Sequence, residues 1–266
     1  MKKTILKFIL SSSLVVSSTL AIAGDNSCKD VPDHTALKDA LISARNSNNG
    51  GFNLDMWGTV VNRDGIVCAV AFTGNDRGDQ WPGSRVISAQ KANTANAFSL
   101  PGFALSTANL YTAVQPGGSL FGLQESNPVD TEAAYKGPSK NYGQPNDPLV
   151  GKKIGGVNVF GGGLALYITD PDDDTKKKIV GAIGVSGDSS CADHEIAWRT
   201  RNGLHLDHVP AGVANLPGIV GADTSRPDNI LYDILPQAGQ MSGESISGWG
   251  HPECFNTAKS LLPAVP

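Results

Sequence analysis

Between Gly184 and Trp198 the chain reads GVSGDSSCADHEIAW, which places Cys191, Asp193, His194 and Glu195 within five positions. These side-chain types include a nucleophile, a base and two proton carriers. A free Cys191 at a helix start would be a low-pKa thiol, because the helix N-terminus favours the thiolate. Ser186 with His194 could form a serine nucleophile, but Gly-Val-Ser-Gly-Asp is not the G-x-S-x-G elbow and no acid is placed to orient the imidazole. His205, Asp207 and His208 lie together in LHLDHVP, and with His194 and His251 they could gather a transition metal. Imidazole with carboxylate suits zinc or iron. None of their spacings is that of a helical zinc motif, and polar loop residues explain them equally well.

The same stretch has a plainer reading as a helix start. Ser190 is the expected N-cap and Asp193 falls three positions later, where a capping box places its acid. Asp188 and Glu195 suit the positive end of the helix dipole. His194 is then an ordinary polar helix residue.

Other candidate motifs fall away. Starting from Asp170, an EF-hand would need Gly at Thr175 and Glu at Gly181. The glycines at 155–156 and 161–163 do not open a helix, as a dinucleotide fingerprint requires. Arg77-Gly78-Asp79 belongs to a polar loop, and such a loop can line a pocket beside a sheet.

The elements that must position these residues follow from periodicity. DHTALKDALISARNSNNGG carries Leu37, Leu41 and Ala44 at helical spacing and ends on Gly50-Gly51. WGTVVNRDGIVCAVAFTG is a hairpin turning on Asp64-Gly65. SRVISAQKANTANAFSL is a helix with Ser88, Ala92 and Ala95 down one side, a stripe that lets a helix lie close on a sheet. A shorter helix is expected in STANLYTAV. Residues 124–153 are rich in Pro, Asn and Gly and read as a long loop insertion. GGVNVFGGGLALYITDPDDDTKKKIVGAIGVSG reads as strand, glycine break, strand, charged turn and strand, with Asp172–Asp174 and Lys176–Lys178 in the turn. A helix follows over Ser190–Asn202, then a turn-rich extension from 204 to 266 with one strand-like piece, NILYDIL. This order is α+β around an antiparallel sheet.

Composition bounds the partners. MKKTILKFILSSSLVVSSTLAIA has the basic start, apolar core and Ala-Ile-Ala end of a secretory signal peptide cleaved after Ala23. The mature chain would be periplasmic or secreted, with no membrane attachment after signal removal. Without Lys2, Lys3 and Lys7 the balance is 18 basic to 25 acidic residues, which argues against a nucleic-acid partner. Four cysteines in an exported chain imply two disulfides, with three pairings open. The pairing expected here is Cys191 with Cys254 and Cys28 with Cys68. No C-x-x-C or C-x-x-C-H occurs, which leaves metal binding and covalent haem attachment without a motif.

Two motifs carry a resemblance. Lys91-Ala92-Asn93-Thr94-Ala95 matches a Lys-Ala-x-Thr-Ala pattern, and Gly-Val-Ser-Gly is followed by an acid seven residues after its serine, Asp193. With the VNRDG hairpin and GGVNVFGGGLALY, these make the chain similar to GlcG/HbpS-like haem-binding proteins. That group includes the C-terminal domain of some corrinoid adenosyltransferases. The resemblance spans roughly residues 35–203, which with the leader divides the chain into 1–23, a domain over 24–203 and an extension over 204–266. It implies a GlcG-like, profilin-like antiparallel sheet packed by helices, often assembled as a homo-oligomer. It also implies noncovalent haem or another small planar tetrapyrrole, for sequestration or sensing, with no established catalytic reaction. His34 and His194 become candidate axial ligands, Lys91 a partner for a propionate, and Asp193 the family-matching acid. The alternatives are a metal- or acid–base-dependent enzyme around Asp193, His194 and the His205/His208 loop, and a module without a small ligand. The four cysteines and the tail HLDHVPAGV…GWGHPEC lie outside the resemblance.

Overall fold

The computed structural model describes residues 26–219, 223–235, 243–258 and 261–266, so the signal peptide expected at 1–23 lies outside the described residues. A four-stranded antiparallel sheet in the order β2-β1-β4-β3 forms the centre. Its strands are β1 (Trp57–Asn62), β2 (Val67–Phe72), β3 (Gly163–Asp170) and β4 (Asp173–Ser186). Helix α1 (His34–Arg45) and helix α4 (Ser190–Gly203) cover one face, and α2 (Ser84–Phe98) covers the other. A short α3 (Thr131–Tyr135) and a two-residue hairpin, β5 (Ile234–Leu235) with β6 (Glu244–Ser245), complete the set. This is the antiparallel α+β fold the sequence implied.

Strand alternation sorts the core into two layers. Val60, Ala69, Ile183 and Val185 pack with Leu37 and Leu41 on the α1–α4 side, while Trp57, Val61, Val70 and Ala182 meet Val86, Ala89 and Ala92 of α2. Every residue of β1 is buried because both faces of the sheet are covered. The small-residue stripe does what its spacing suggested. Ser88, Ala92 and Ala95 are fully buried, and a Cβ at Gly184 would overlap the Ser88 carbonyl oxygen, so α2 rests directly on β4. A 2.7 Å hydrogen bond between Ser88 Oγ and Thr59 Oγ1 ties the same helix to β1. The hairpin turns as its sequence reads, with Gly65 at φ +76° and the Asn62 side chain accepting from the amides of Asp64 and Ile66.

Several local expectations are corrected. The first helix stops at Asn46 rather than at Gly50-Gly51, because the Asn49 amide caps the carbonyls of Ala44 and Arg45. STANLYTAV forms two 3-10 turns, Ala108–Leu110 and Thr112–Val114. VNVF is not a strand: it crosses α2, with the Asn158 amide bonded to Thr94 Oγ1 and Val159 packed on Leu110 and Val114, and finds no sheet edge. The charged turn is only Pro171-Asp172, and Lys176–Lys178 already belong to β4.

The C-terminal extension is built into the core. Both expected disulfides are present, Cys28–Cys68 and Cys191–Cys254. Leu262 joins the α1–α4 core, Trp198 Nε1 donates to the Pro263 carbonyl at 3.0 Å, and Arg201 grips Asp228 with two hydrogen bonds of 2.6 and 2.9 Å. No helix among the described residues is long and apolar enough to cross a membrane.

Candidate functional site

The corner between β4 and α4 is held by three acids and hydroxyls with separate tasks. Ser189, not Ser190, is the N-cap: its side chain accepts from the Ala192 amide at 3.3 Å. Asp193 is therefore one position too far along for a capping box. Its Oδ1 instead turns back to accept from the amides of Gly187 (3.0 Å) and Asp188 (2.8 Å). Asp188 accepts from the amides of Phe52 and Leu54, which ties the chain entering β1 to the corner.

The other oxygen of Asp193 meets Lys91 Nζ at 2.7 Å, and the same amine donates to the Val185 carbonyl at 3.0 Å. Both groups are buried, with side-chain exposures of 1% for Lys91 and 3% for Asp193. Lys91 is thus not a solvent-facing helix lysine. Burial disfavours both charges: it lowers the Lys91 amine and raises the Asp193 carboxyl to about 6, while each partner partly opposes the shift of the other. The pair joins α2 to α4 around the end of β4. Only a glycine can pass over it there, since a Cβ at Gly162 (φ +112°) would overlap the Val185 oxygen and crowd Lys91 Nζ. The glycine run 161–163, which fails as a nucleotide loop, has this role.

Above the pair lies a recess of about 310 Å³, with Lys91, Asp193, Ser186 and Ser190 among its lining. Trp81 and Phe160, 52% and 47% exposed, also line it. The loop containing Arg77-Gly78-Asp79 thus supplies one aromatic wall, as its position beside the sheet suggested. A larger space of about 820 Å³ lies between the Thr112–Val114 turn and the β5–β6 hairpin, but it gathers no group of titratable side chains.

The histidines separate. His194 is fully buried and does not line the recess, and among the described residues neither ring nitrogen has a partner at full hydrogen-bond geometry, though the Asn229 side chain is close enough to act on the ring. Burial holds its pKa down to about 3. It is therefore not a surface helix residue. His34 begins α1 on the far side of the sheet from Lys91 and bonds through Nε2 to the Gly143 carbonyl at 2.9 Å. His205 is exposed, and His208 Nδ1 stands 3.4 Å from Thr169 Oγ1. Ser186 and His194 do not pair, in keeping with the missing elbow motif, and Ser186 Oγ donates to Ser84 Oγ at 3.2 Å. Among the described residues one trio has metal-ligand spacing, Cys191, His251 and Cys254, and both of its sulfurs are in a disulfide.

The sequence offers His251 as a metal ligand beside His194, whereas the structure places it against Ser190 in this corner. It is 2% exposed, and its Nε2 lies 2.7 Å from Ser190 Oγ. The disulfide one residue beyond Ser190 was the available signal, because a Cys191–Cys254 bond must bring GWGHPEC to the start of α4.

Comparison with known proteins gives a family for this arrangement. A family model described as "Haem degrading protein HbpS-like" matches residues 35–201. A search of curated proteins found no match. Among solved structures the chain is similar to a PduOC–haem complex, at 20% identity and a TM-score of 0.42, covering 64% of this chain and 89% of that one. It is similar to the Klebsiella pneumoniae protein ORFY at 22% identity and a TM-score of 0.41, covering 65% and 90%. HbpS itself is similar at 17% identity and a TM-score of 0.39, covering 64% and 84%. The family match takes in both motifs and the whole β4–α4 corner, over more than half of the sequence, and the chain belongs to the HbpS-like family of haem-degrading proteins.

Proposed function

We propose that this is an exported protein that binds haem or a related tetrapyrrole noncovalently, with the ring system resting in the recess beside Lys91 and Asp193. One observation carries the reading: two half-exposed aromatic rings, Trp81 and Phe160, line the same recess next to the family's signature corner. Flat conjugated ligands gain from stacking on such rings as well as from burial. The recess takes one edge of a macrocycle, and the rest extends over the surface or against a second copy of the chain. Lys91 uses two of the three protons of its ammonium on Val185 and Asp193, which leaves one for a ligand carboxylate. His34 and His194 enter as the candidate axial ligands, although neither lines the recess. Export is supported by the signal-like start and by the two disulfides, which persist in oxidising compartments. The division at residue 203 then separates the fold that carries the family match from an extension that locks onto it.

Adding haemin to the purified protein tests this. A saturable Soret shift is expected, weakened about tenfold, or about 1.4 kcal/mol, by Trp81→Ala or Phe160→Ala. Loss of the shift on replacing His34 or His194 would place the ring at that histidine and away from the recess. No saturable shift in the unaltered protein would overturn the proposal.

A further inference from the structure

Ser190 and His251 are 61 residues apart in sequence and meet in the wall of the recess. The tautomer of the imidazole is fixed by its surroundings. His251 Nδ1 lies 2.7 Å from the Pro252 carbonyl oxygen, which can only accept, so Nδ1 carries the proton. Nε2 of the neutral ring is then an acceptor, and the Ser190 hydroxyl donates to it at 2.7 Å. Burial keeps the ring neutral, lowering its pKa to about 4. The Gly161 amide donates to Ser190 Oγ at 2.6 Å, where negative charge would grow as the hydroxyl loses its proton. Ser190 is half-buried and lines the recess, while His251 sits behind it at 2% exposure.

We propose that Ser190 and His251 form a nucleophile–base dyad that transfers acyl groups from small carboxylic esters bound between Trp81 and Phe160. A hydroxyl hydrogen-bonded to an imidazole whose other nitrogen is held by a third group is the arrangement that activates serine. The Pro252 carbonyl supplies the third group here. Ser190 Oγ attacks the ester carbonyl carbon and its proton passes to His251 Nε2. Collapse of the adduct breaks the carbonyl–alkoxy bond, the leaving oxygen takes that proton, and the acyl group remains on Ser190. Water then attacks the acyl carbon with His251 as base, releasing the acid and restoring the hydroxyl. Lys91, in the floor of the same recess, offers its third N–H to the oxygen that becomes negative. Cys191 follows Ser190 directly and Cys254 lies three residues beyond His251, so the disulfide already holds the tail at this corner without the Ser190–His251 bond. The aromatic walls favour planar acyl or aryl groups.

This inference does not depend on haem, and its test uses the full, haem-free protein. A fluorophosphonate probe should form one adduct, located at Ser190 by peptide mass spectrometry, and p-nitrophenyl acetate should give an acylation burst. Ser190→Ala should remove both, and His251→Gln should slow labelling at least 100-fold with the disulfide intact. In the unaltered protein the labelling rate should fall steeply near pH 4, where His251 gains a proton, and a smaller step near pH 6 belongs to Asp193 beneath Lys91. No adduct, an adduct at another residue, or equal labelling of folded His251→Gln would overturn the proposal and leave the contact a structural one. Protein that labels at Ser190 but binds no haemin keeps this inference and loses the previous one.

Discussion

Each end of α4 carries a buried ion pair, and the two pairs are built for different purposes. In the last turn, Arg201 and Asp228 are both fully buried, and two parallel hydrogen bonds join guanidinium and carboxylate. Arg201 also donates to the Ala165 carbonyl and lies 4.5 Å from the Trp198 ring centre. Protein packs this pair on every side, and it clamps the extension to the helix. In the first turn, the Lys91–Asp193 pair has one amine proton uncommitted and a carboxyl raised to about 6, and both residues line an open recess. Arginine suits the clamp because its planar fork fixes geometry, whereas lysine is a point charge whose proton affinity responds to burial. A buried ion pair thus indicates a site only where space beside it admits a ligand.

The comparison can be broken most severely at the clamp. Asp228→Ala should cost about 3–5 kcal/mol in urea unfolding, because it strands the Arg201 charge in the interior. An apolar pair, Arg201→Met with Asp228→Leu, should recover much of that loss. A single variant as mild as a surface substitution would mean that the extension is not clamped there. Next in size is the staple at the opposite end. Replacing Cys191 and Cys254 by alanine should lower stability by about 2–4 kcal/mol, since the bond closes a loop across 63 positions of sequence. It should also loosen the Ser190–His251 contact, which makes fluorophosphonate labelling slower than in the oxidised protein.

A smaller effect concerns His194, which lies between the two ends. Its folded pKa of about 3 is below the ordinary 6.5, so the stability it contributes is whole above pH 6.5 and is lost as pH falls toward 3. Glu195, raised to about 7 by burial, acts in the opposite sense as pH falls from 7 toward 4.5. The informative quantity is therefore the difference between parent and His194→Phe melting temperatures across this range. It should shift in favour of the variant as pH falls from 6.5 to 4, and a constant difference would contradict the burial account.

Much of this organisation was legible in local sequence. The Ser88–Ala92–Ala95 stripe, the Asp64-Gly65 hairpin and the Leu37–Leu41–Ala44 face of α1 each follow from signals within a few residues. The disulfide pairing was one of three open pairings and matched. The family resemblance singles out both Asp193 and Lys91, but local spacing alone misassigns the role of Asp193. Local spacing made it a capping acid, and its real partner, Lys91, lies 102 positions away. VNVF has the composition of a strand, yet strand formation requires an edge to pair with, and tertiary packing gave that segment to α2. His251 reads in the sequence as a possible metal ligand, and only the Cys191–Cys254 bond, three residues beyond it, signals that it comes to lie 2.7 Å from Ser190 Oγ. Fold signals are local and repeated along the chain, whereas a site is assembled from single residues of distant segments.

The most direct test of the account is haemin affinity measured for the Trp81→Ala/Phe160→Ala double variant beside the parent protein. Both side chains are about half exposed, so the variant should melt close to the parent. The account predicts a dissociation constant raised at least tenfold with the fold unchanged. Equal affinities in parent and variant would place the ligand elsewhere and contradict the assignment of the recess beside Lys91 and Asp193.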